Sequence, residues 1–243
     1  MKTLDYCTGV LENLKLQGIS KALTEVNVES ELSHLEFLKT LLEKEISYRM
    51  ERRLRRNLAG AHFPVIKLLE DFQVDRLEGI NKLQLKNLLD FTWIDKQENL
   101  LFFGPPGIGK THLSIALGYE AIQKGYKVCF ERITSLVKLL KTMDVQRSST
   151  FRLNRIMKSD VLIIDEIGYT PIDRKEANLF FSLVSELYER TSIILTSNKS
   201  FDSWAEMLGD EVMTTALLDR LLHHAHVFSL AGDSYRISNK KES

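Results

Sequence analysis

Residues 104 to 111 read Gly104-Pro105-Pro106-Gly107-Ile108-Gly109-Lys110-Thr111, between the apolar run Leu100-Leu-Phe-Phe103 and a helical stretch from Thr111 to Lys124. In this spacing the glycines let the backbone wrap closely, so that successive N–H groups and the following helix N-terminus surround phosphate oxygens. Lys110 then reaches the β- and γ-phosphates as a point charge, and the Thr111 hydroxyl ligates magnesium. The chemistry expected is binding of ATP with Mg2+, through residues 104 to 111 together with the adjoining His112.

A second group completes such a site. Val161-Leu-Ile-Ile164 is a buried strand by composition, and it delivers Asp165 and Glu166 to its C-terminal end, where ligands bind in open α/β sheets. Asp165 is the expected magnesium partner, and Glu166 is placed to orient and deprotonate a water that attacks the γ-phosphate. Hydrolysis, rather than storage of ATP, is the reaction these two carboxylates predict. A small-molecule kinase would share the loop but needs an acceptor-binding lid, and no such insertion stands out. A nucleotide-binding scaffold without activity is the other alternative.

Two further residues have a functional and an ordinary reading. Asn198 follows the apolar run Ser192-Ile-Ile-Leu-Thr196, where it can meet the γ-phosphate or attacking water, or simply satisfy a turn. Arg220, in Ala216-Leu-Leu-Asp-Arg-Leu-Leu222, is either half of a solvated charged pair with Asp219 or an arginine finger for an adjacent subunit.

These groups need a scaffold, and the pattern from about Asn99 onward supplies one. Apolar runs at 100–103, 127–130, 161–164 and 192–196 alternate with amphipathic helices such as 111–124 and 175–189. Short continuous apolar strands separated by helices predict a parallel sheet covered on both faces. Before it, residues 4 to 58 read as helix, with a capping box at Ser33 and Glu36 and with Leu35, Leu38, Leu42 and Ile46 on one face. Gly60 and Pro64 interrupt that pattern, which puts a helical module at 1–64 and the ATPase domain at 65–243.

Composition excludes several classes. The 243 residues carry 33 basic and 33 acidic side chains and are 44% hydrophobic, so a partner with phosphates must be met by local clusters of charge. Cys7 and Cys129 lack disulfide or zinc spacing, and no run approaches the length of a membrane helix, so a cytoplasmic location with no membrane contact is expected. His223, His224 and His226 are read as surface or structural, because adjacent positions on a helix diverge and no carboxylate completes a metal site. Trp93 and Trp204 are read as packing residues.

One cluster stands out: Arg49, Arg52, Arg53, Arg55 and Arg56 lie within eight residues, opposed by Glu51. At about 100° per residue, Arg49, Arg52, Arg53 and Arg56 form one basic face. Such a face can neutralise DNA phosphates without reading sequence, or it can offset the helix macrodipole.

Taken together these segments resemble the IstB-like helper ATPases of insertion-sequence transposition, in the DnaA and DnaC branch of AAA+ proteins. The resemblance covers nearly the whole chain and rests on the Arg-Arg-Leu-Arg-Arg and Ala-His-Phe-Pro segments, Ile-Ile-Asp-Glu-Ile-Gly-Tyr169, Thr196-Ser-Asn198, Asp219-Arg-Leu-Leu-His223 and Gly232-Asp-Ser-Tyr-Arg236. It implies an AAA+ sheet with flanking helices after a small all-α domain, with the usual helical lid absent or vestigial. It implies that Asn198 senses the γ-phosphate and that Arg220 acts across a subunit interface, with Arg236 a substitute for the lid's arginine. It further implies a homo-oligomer with ATP at its interfaces, assembly on duplex DNA, and delivery of target DNA to a partner transposase. The initiator branch also makes the group Arg147, Arg152, Arg155 and Lys158 a candidate inner DNA surface, with an ordinary solvated helix as the alternative reading. A replicative helicase loader of the DnaC or DnaI type is the runner-up.

Overall fold

The computed structural model describes residues 2–25, 33–169, 172–232 and 234. Arg236 lies outside them. Contacts divide the chain into two units, Met1–Arg56 and Asn57–Ser243. Residues 57–64, assigned from the sequence to the helical module, fall in the larger unit.

The smaller unit holds α1 (Lys2–Asn13), α2 (Gln17–Glu25) and the greater part of α3 (His34–Ala61). The expected capping box opens α3: the Glu36 amide donates to Ser33 Oγ and the Ser33 amide to Glu36 Oε2. Ile19, Ala22 and Leu41 form the buried centre, with Leu11, Leu16, Leu23 and Phe37 against it. Leu35, Leu38, Leu42 and Ile46 do share a face, but that face is exposed. The packed stripe of α3 runs one position away, through Phe37 and Leu41, because so small a unit buries only one side of a helix.

In the larger unit the last turn of α3 is fixed by side chains from α8 (Arg147–Ile156). The helix runs through Gly60 and stops at Ala61, with His62 left-handed at φ 61. Arg152 donates to the Gly60 and Ala61 carbonyls, and the Arg155 guanidinium occupies the place where a Gly60 Cβ would sit. A cation on otherwise orphaned carbonyls is a favourable helix terminus. Gly60 therefore makes room for an arginine and does not break the helix.

The remaining elements follow in chain order: β1 (Leu77–Glu78), α4 (Lys82–Leu88), α5 (Thr92–Asp95), β2 (Asn99–Phe103), α6 (Lys110–Lys124), β3 (Val128–Arg132) and α7 (Ile133–Thr142) precede α8. After it come β4 (Val161–Ile167), α9 (Arg174–Leu187), β5 (Ser192–Ser197), α10 (Trp204–Leu208), α11 (Glu211–Leu222), β6 (Ala225–Ser229) and β7 (Ala231–Gly232). Five strands form one parallel sheet in the order β3-β4-β5-β2-β6, and β1 pairs antiparallel with β7. The four runs read from the sequence are all strands of this sheet. The fifth, β6, was missed because its side chains are partly exposed and it lacks a continuous apolar run.

Residues 161–164 of β4 are wholly buried, as expected for a central strand with helices on both faces. Trp93 and Trp204 are core residues. Among the described residues no helix follows β6, and no helix is long and apolar enough to cross a membrane.

Candidate active site

Strand order decides which side chains meet. The phosphate-binding loop follows β2, while Asp165 and Glu166 lie on β4, and β5 runs between these two strands. The C-terminal end of β5 thus brings Thr196, Ser197 and Asn198 into the middle of the site.

The loop backbone is left-handed at Gly107 (φ 86) and Gly109 (φ 102), a region other residues enter only at a cost. A Cβ on Gly107 would lie 2.2 Å from the Ser234 hydroxyl oxygen, so the loop also leaves room for the segment after β7. Lys110 Nζ donates to the carbonyls of Gly104 (2.6 Å) and Pro105 (2.8 Å), folded back over its own loop. Ile108 is buried behind the loop.

Asp165 is fully buried. Its Oδ1 accepts from Thr111 Oγ1 at 2.9 Å and Thr196 Oγ1 at 2.6 Å, whereas Oδ2 has no hydrogen-bond partner among the described residues. A carboxylate oxygen with no partner in the interior is costly unless a cation or its waters meet it. The pair Thr111 and Asp165, both hard oxygen donors, fits magnesium.

Glu166 is aimed by the backbone. The β4 to β5 register slips between Ile164 and Ile167, and within this bulge Glu166 adopts φ 65 while its amide donates to Thr196 Oγ1 at 3.0 Å. A bulge of this kind turns a side chain away from the sheet alternation. Oε2 of Glu166 then pairs with Arg132 Nε at 3.4 Å. Ser197 is occupied with Lys199 in the turn, which leaves Asn198 as the polar group beyond the strand. Asn198 Oδ1 is buried without a partner among the described residues, and it would lie 3.1 Å from a Cβ on Gly168.

These groups open onto a cavity of about 380 Å³ lined by Pro106, Gly107, Gly109, Lys110, Thr111, His112, Arg132, Glu166, Thr196 and Asn198. Pro64, Val65, Phe72 and Ile115 add an apolar wall to it, and Lys67, Asp71 and Tyr169 also line it. His112 fastens this wall, with Nε2 2.9 Å from the Leu68 carbonyl oxygen and its ring 5.4 Å from that of Phe72.

Sequence reasoning missed three parts of the site. Thr196, a donor to Asp165 and acceptor for Glu166, was legible only as a polar residue closing an apolar strand. Arg132 belongs to no motif, and neither do the wall residues after Pro64.

The candidates outside the cavity divide. Arg220 does not line its own chain's cavity: it donates to the Ala216 carbonyl at 2.8 Å and lies 4.8 Å over the Phe181 ring. Arg49, Arg52, Arg53 and Arg56 are exposed, although Arg49 bonds Glu45 and Arg52 bonds Gln17. Arg152 must be withdrawn as a DNA contact, since it is buried and spends its guanidinium on Glu131, Gly60, Ala61 and Phe130. Arg155 is half-buried against Gly60. An amphipathic helix whose inward positions include an arginine reads as basic from composition alone.

The sequence profile of the family described as IstB-like ATP binding protein matches residues 9–243. The chain is 40% identical over 237 residues to a protein described as an ATP-binding protein of insertion sequence IS21 from Pseudomonas aeruginosa, covering 96% of this chain and 89% of the relative. It is 41% identical over 220 residues to the counterpart of insertion sequence IS5376 from Geobacillus stearothermophilus, covering 90% and 88%. Among solved structures, DnaI superposes with a TM-score of 0.56 at 19% identity over 68% of this chain and 91% of that one. DnaA from Aquifex aeolicus, bound to AMPPCP, does so with a TM-score of 0.52 at 21% identity over 72% and 53%. The sheet and its phosphate loop are those of the AAA+ P-loop fold, and the chain belongs to the IstB-like ATP-binding proteins.

Proposed function

We propose that this protein is a magnesium-dependent ATPase that assembles on duplex DNA and presents target DNA to a partner transposase. The observation that carries the ATPase reading is the buried Asp165, held by Thr111 and Thr196 with Oδ2 unpartnered, beside a Glu166 turned out of the sheet by a bulge. Thr111 and Asp165 would hold magnesium there, and the ion would supply positive charge to offset that of the phosphates. The loop amides and Lys110 hold the phosphates, which requires Lys110 to leave the Gly104 and Pro105 carbonyls. The apolar wall of Val65, Phe72 and Ile115 receives the base. Glu166 accepts a proton from the attacking water, and Asn198 orients that water or the γ-phosphate.

Arg220 stands outside its own cavity, which supports a role at a neighbouring subunit's ATP, where an arginine finger stabilises transition-state charge. The exposed face of Leu35, Leu38, Leu42 and Ile46 gives such a neighbour an apolar surface to cover. The exposed arginines of α3 supply sequence-tolerant contacts to DNA phosphates. The relatives named for insertion sequences support the transposition context, whereas the helicase-loader alternative rests on likeness of fold. Free Cys7 and Cys129 suit a reducing cytoplasm.

Electron microscopy with duplex DNA and a non-hydrolysable ATP analogue tests this reading. Closed or helical assemblies on DNA are expected from the wild type, and only monomers would overturn it.

A further inference from the structure

The histidines after α11 meet in a way their spacing does not suggest. The helix ends at Leu222, so His223 and His224 leave it through a turn, and their ring centroids lie 4.1 Å apart. The turn that leads into β5 adds the missing carboxylate. Glu189 Oε1 is 4.0 Å from His223 Nδ1 and 3.8 Å from His224 Nε2. One ligand atom from each of the three residues lies within 4.8 Å of the others, and all three residues are exposed.

No step of ATP hydrolysis uses this cluster. Glu189 precedes β5 and the histidines precede β6, so the cluster sits at the N-terminal ends of these strands. Asp165, Thr196 and Asn198 belong to the C-terminal ends, at the other edge of the sheet.

We propose that Glu189, His223 and His224 form a binding site for a divalent transition-metal ion of the zinc class, with water as the fourth ligand. Two imidazoles and a carboxylate are a common zinc donor set, and imidazole also suits copper and nickel. Bonds of about 2.0–2.2 Å in a tetrahedron put ligand atoms about 3.3 Å apart. Exposed side chains close the remaining gap by small torsional changes. The Tyr188 hydroxyl, 2.6 Å from His223 Nδ1, is the partner the ion displaces. Once bound, the ion ties the turn entering β5 to the end of α11, the helix that carries Arg220 in its last turn.

The test uses the full chain in a Cys7→Ser background, because Cys7 is an exposed thiol that could itself bind the probe. Zinc chloride alone is titrated calorimetrically, and thermal unfolding is followed with and without the ion. One saturable site and a zinc-dependent rise in melting temperature are expected. The His223→Ala/His224→Ala double variant should bind at least about tenfold more weakly and lose that rise. Glu189→Gln, at an exposed position that leaves the fold intact, should weaken binding in the same sense. His226→Ala should change nothing, since that ring pairs with Glu98 at 2.8 Å. No saturable uptake by the parent, or an affinity equal to the parent's in both the double variant and Glu189→Gln, would overturn the proposal.

Discussion

Arg132 Nε lies 3.4 Å from Glu166 Oε2, so the carboxylate expected to activate water is also the acceptor of an ion pair from the neighbouring strand. Both side chains are partly exposed, at 53% and 39%, and such a pair contributes at most about 1 kcal/mol, a factor of about five. Arg132→Ala should therefore raise phosphate release in the absence of DNA by no more than about fivefold. Glu166→Gln should lower it by about 10² to 10⁴ while ATP still binds. An Arg132→Ala loss as deep as that of Glu166→Gln would show that the arginine serves the reaction directly.

Arg152 is the opposite kind of cation, buried at 6% and shared between Glu131 and three carbonyls. Removing one partner of a buried pair costs about 3–5 kcal/mol. At about 2–4 °C per kcal/mol for a unit of this size, Arg152→Ala should lower the melting temperature by about 6–20 °C in calorimetry. An unchanged melting temperature with weakened DNA binding would return the residue to the DNA surface.

These two arginines show where the sequence is informative. Glycines at fixed spacing and carboxylates after an apolar run report backbone shape and strand direction, so Gly104 to Thr111, Asp165 and Glu166 were identifiable without coordinates. Whether Arg132 faces Glu166, or Arg152 faces the core, depends on strand order and helix rotation, which local spacing does not contain. The same limit applies to His223 and His224, whose convergence depends on α11 ending at Leu222. It applies again to Leu35, Leu38, Leu42 and Ile46, a correct face assigned without knowledge of which side is packed.

Glu45 gives the smaller unit a pH dependence. Burial pushes its carboxyl up, but the Arg49 guanidinium and the amides of Ile19 and Gly18 outweigh that and hold it below its ordinary value of 4.5. Because the folded value is the lower one, its contribution is complete above the unfolded value and is lost as pH falls through the folded one. Circular dichroism should show the wild type losing helical stability on acidification below pH 4.5, with Glu45→Gln less stable at neutral pH and flatter in acid. Parallel acid profiles would exclude this carboxylate as the cause.

The basic face of α3 makes a prediction about salt. If Arg52, Arg53 and Arg56 each neutralise a DNA phosphate, each alanine substitution should reduce the slope of log affinity against log salt by about 0.9, equally for unrelated duplexes. Fluorescence anisotropy at several salt concentrations measures this. Slopes unchanged in all three variants would leave these residues as solvated charges on the helix surface, since α3 runs on to Ala61 and its last turn holds no basic residue.

The central claim is a site completed by a second subunit on DNA, and mixing two inactive variants tests it most directly. Glu166→Gln retains Arg220, and Arg220→Ala retains Glu166. Combined in equal amounts with ATP, magnesium and duplex DNA, they should form complete sites at about one interface in four and recover a corresponding share of wild-type phosphate release. Activity no greater than the sum of the two variants measured alone would contradict the account.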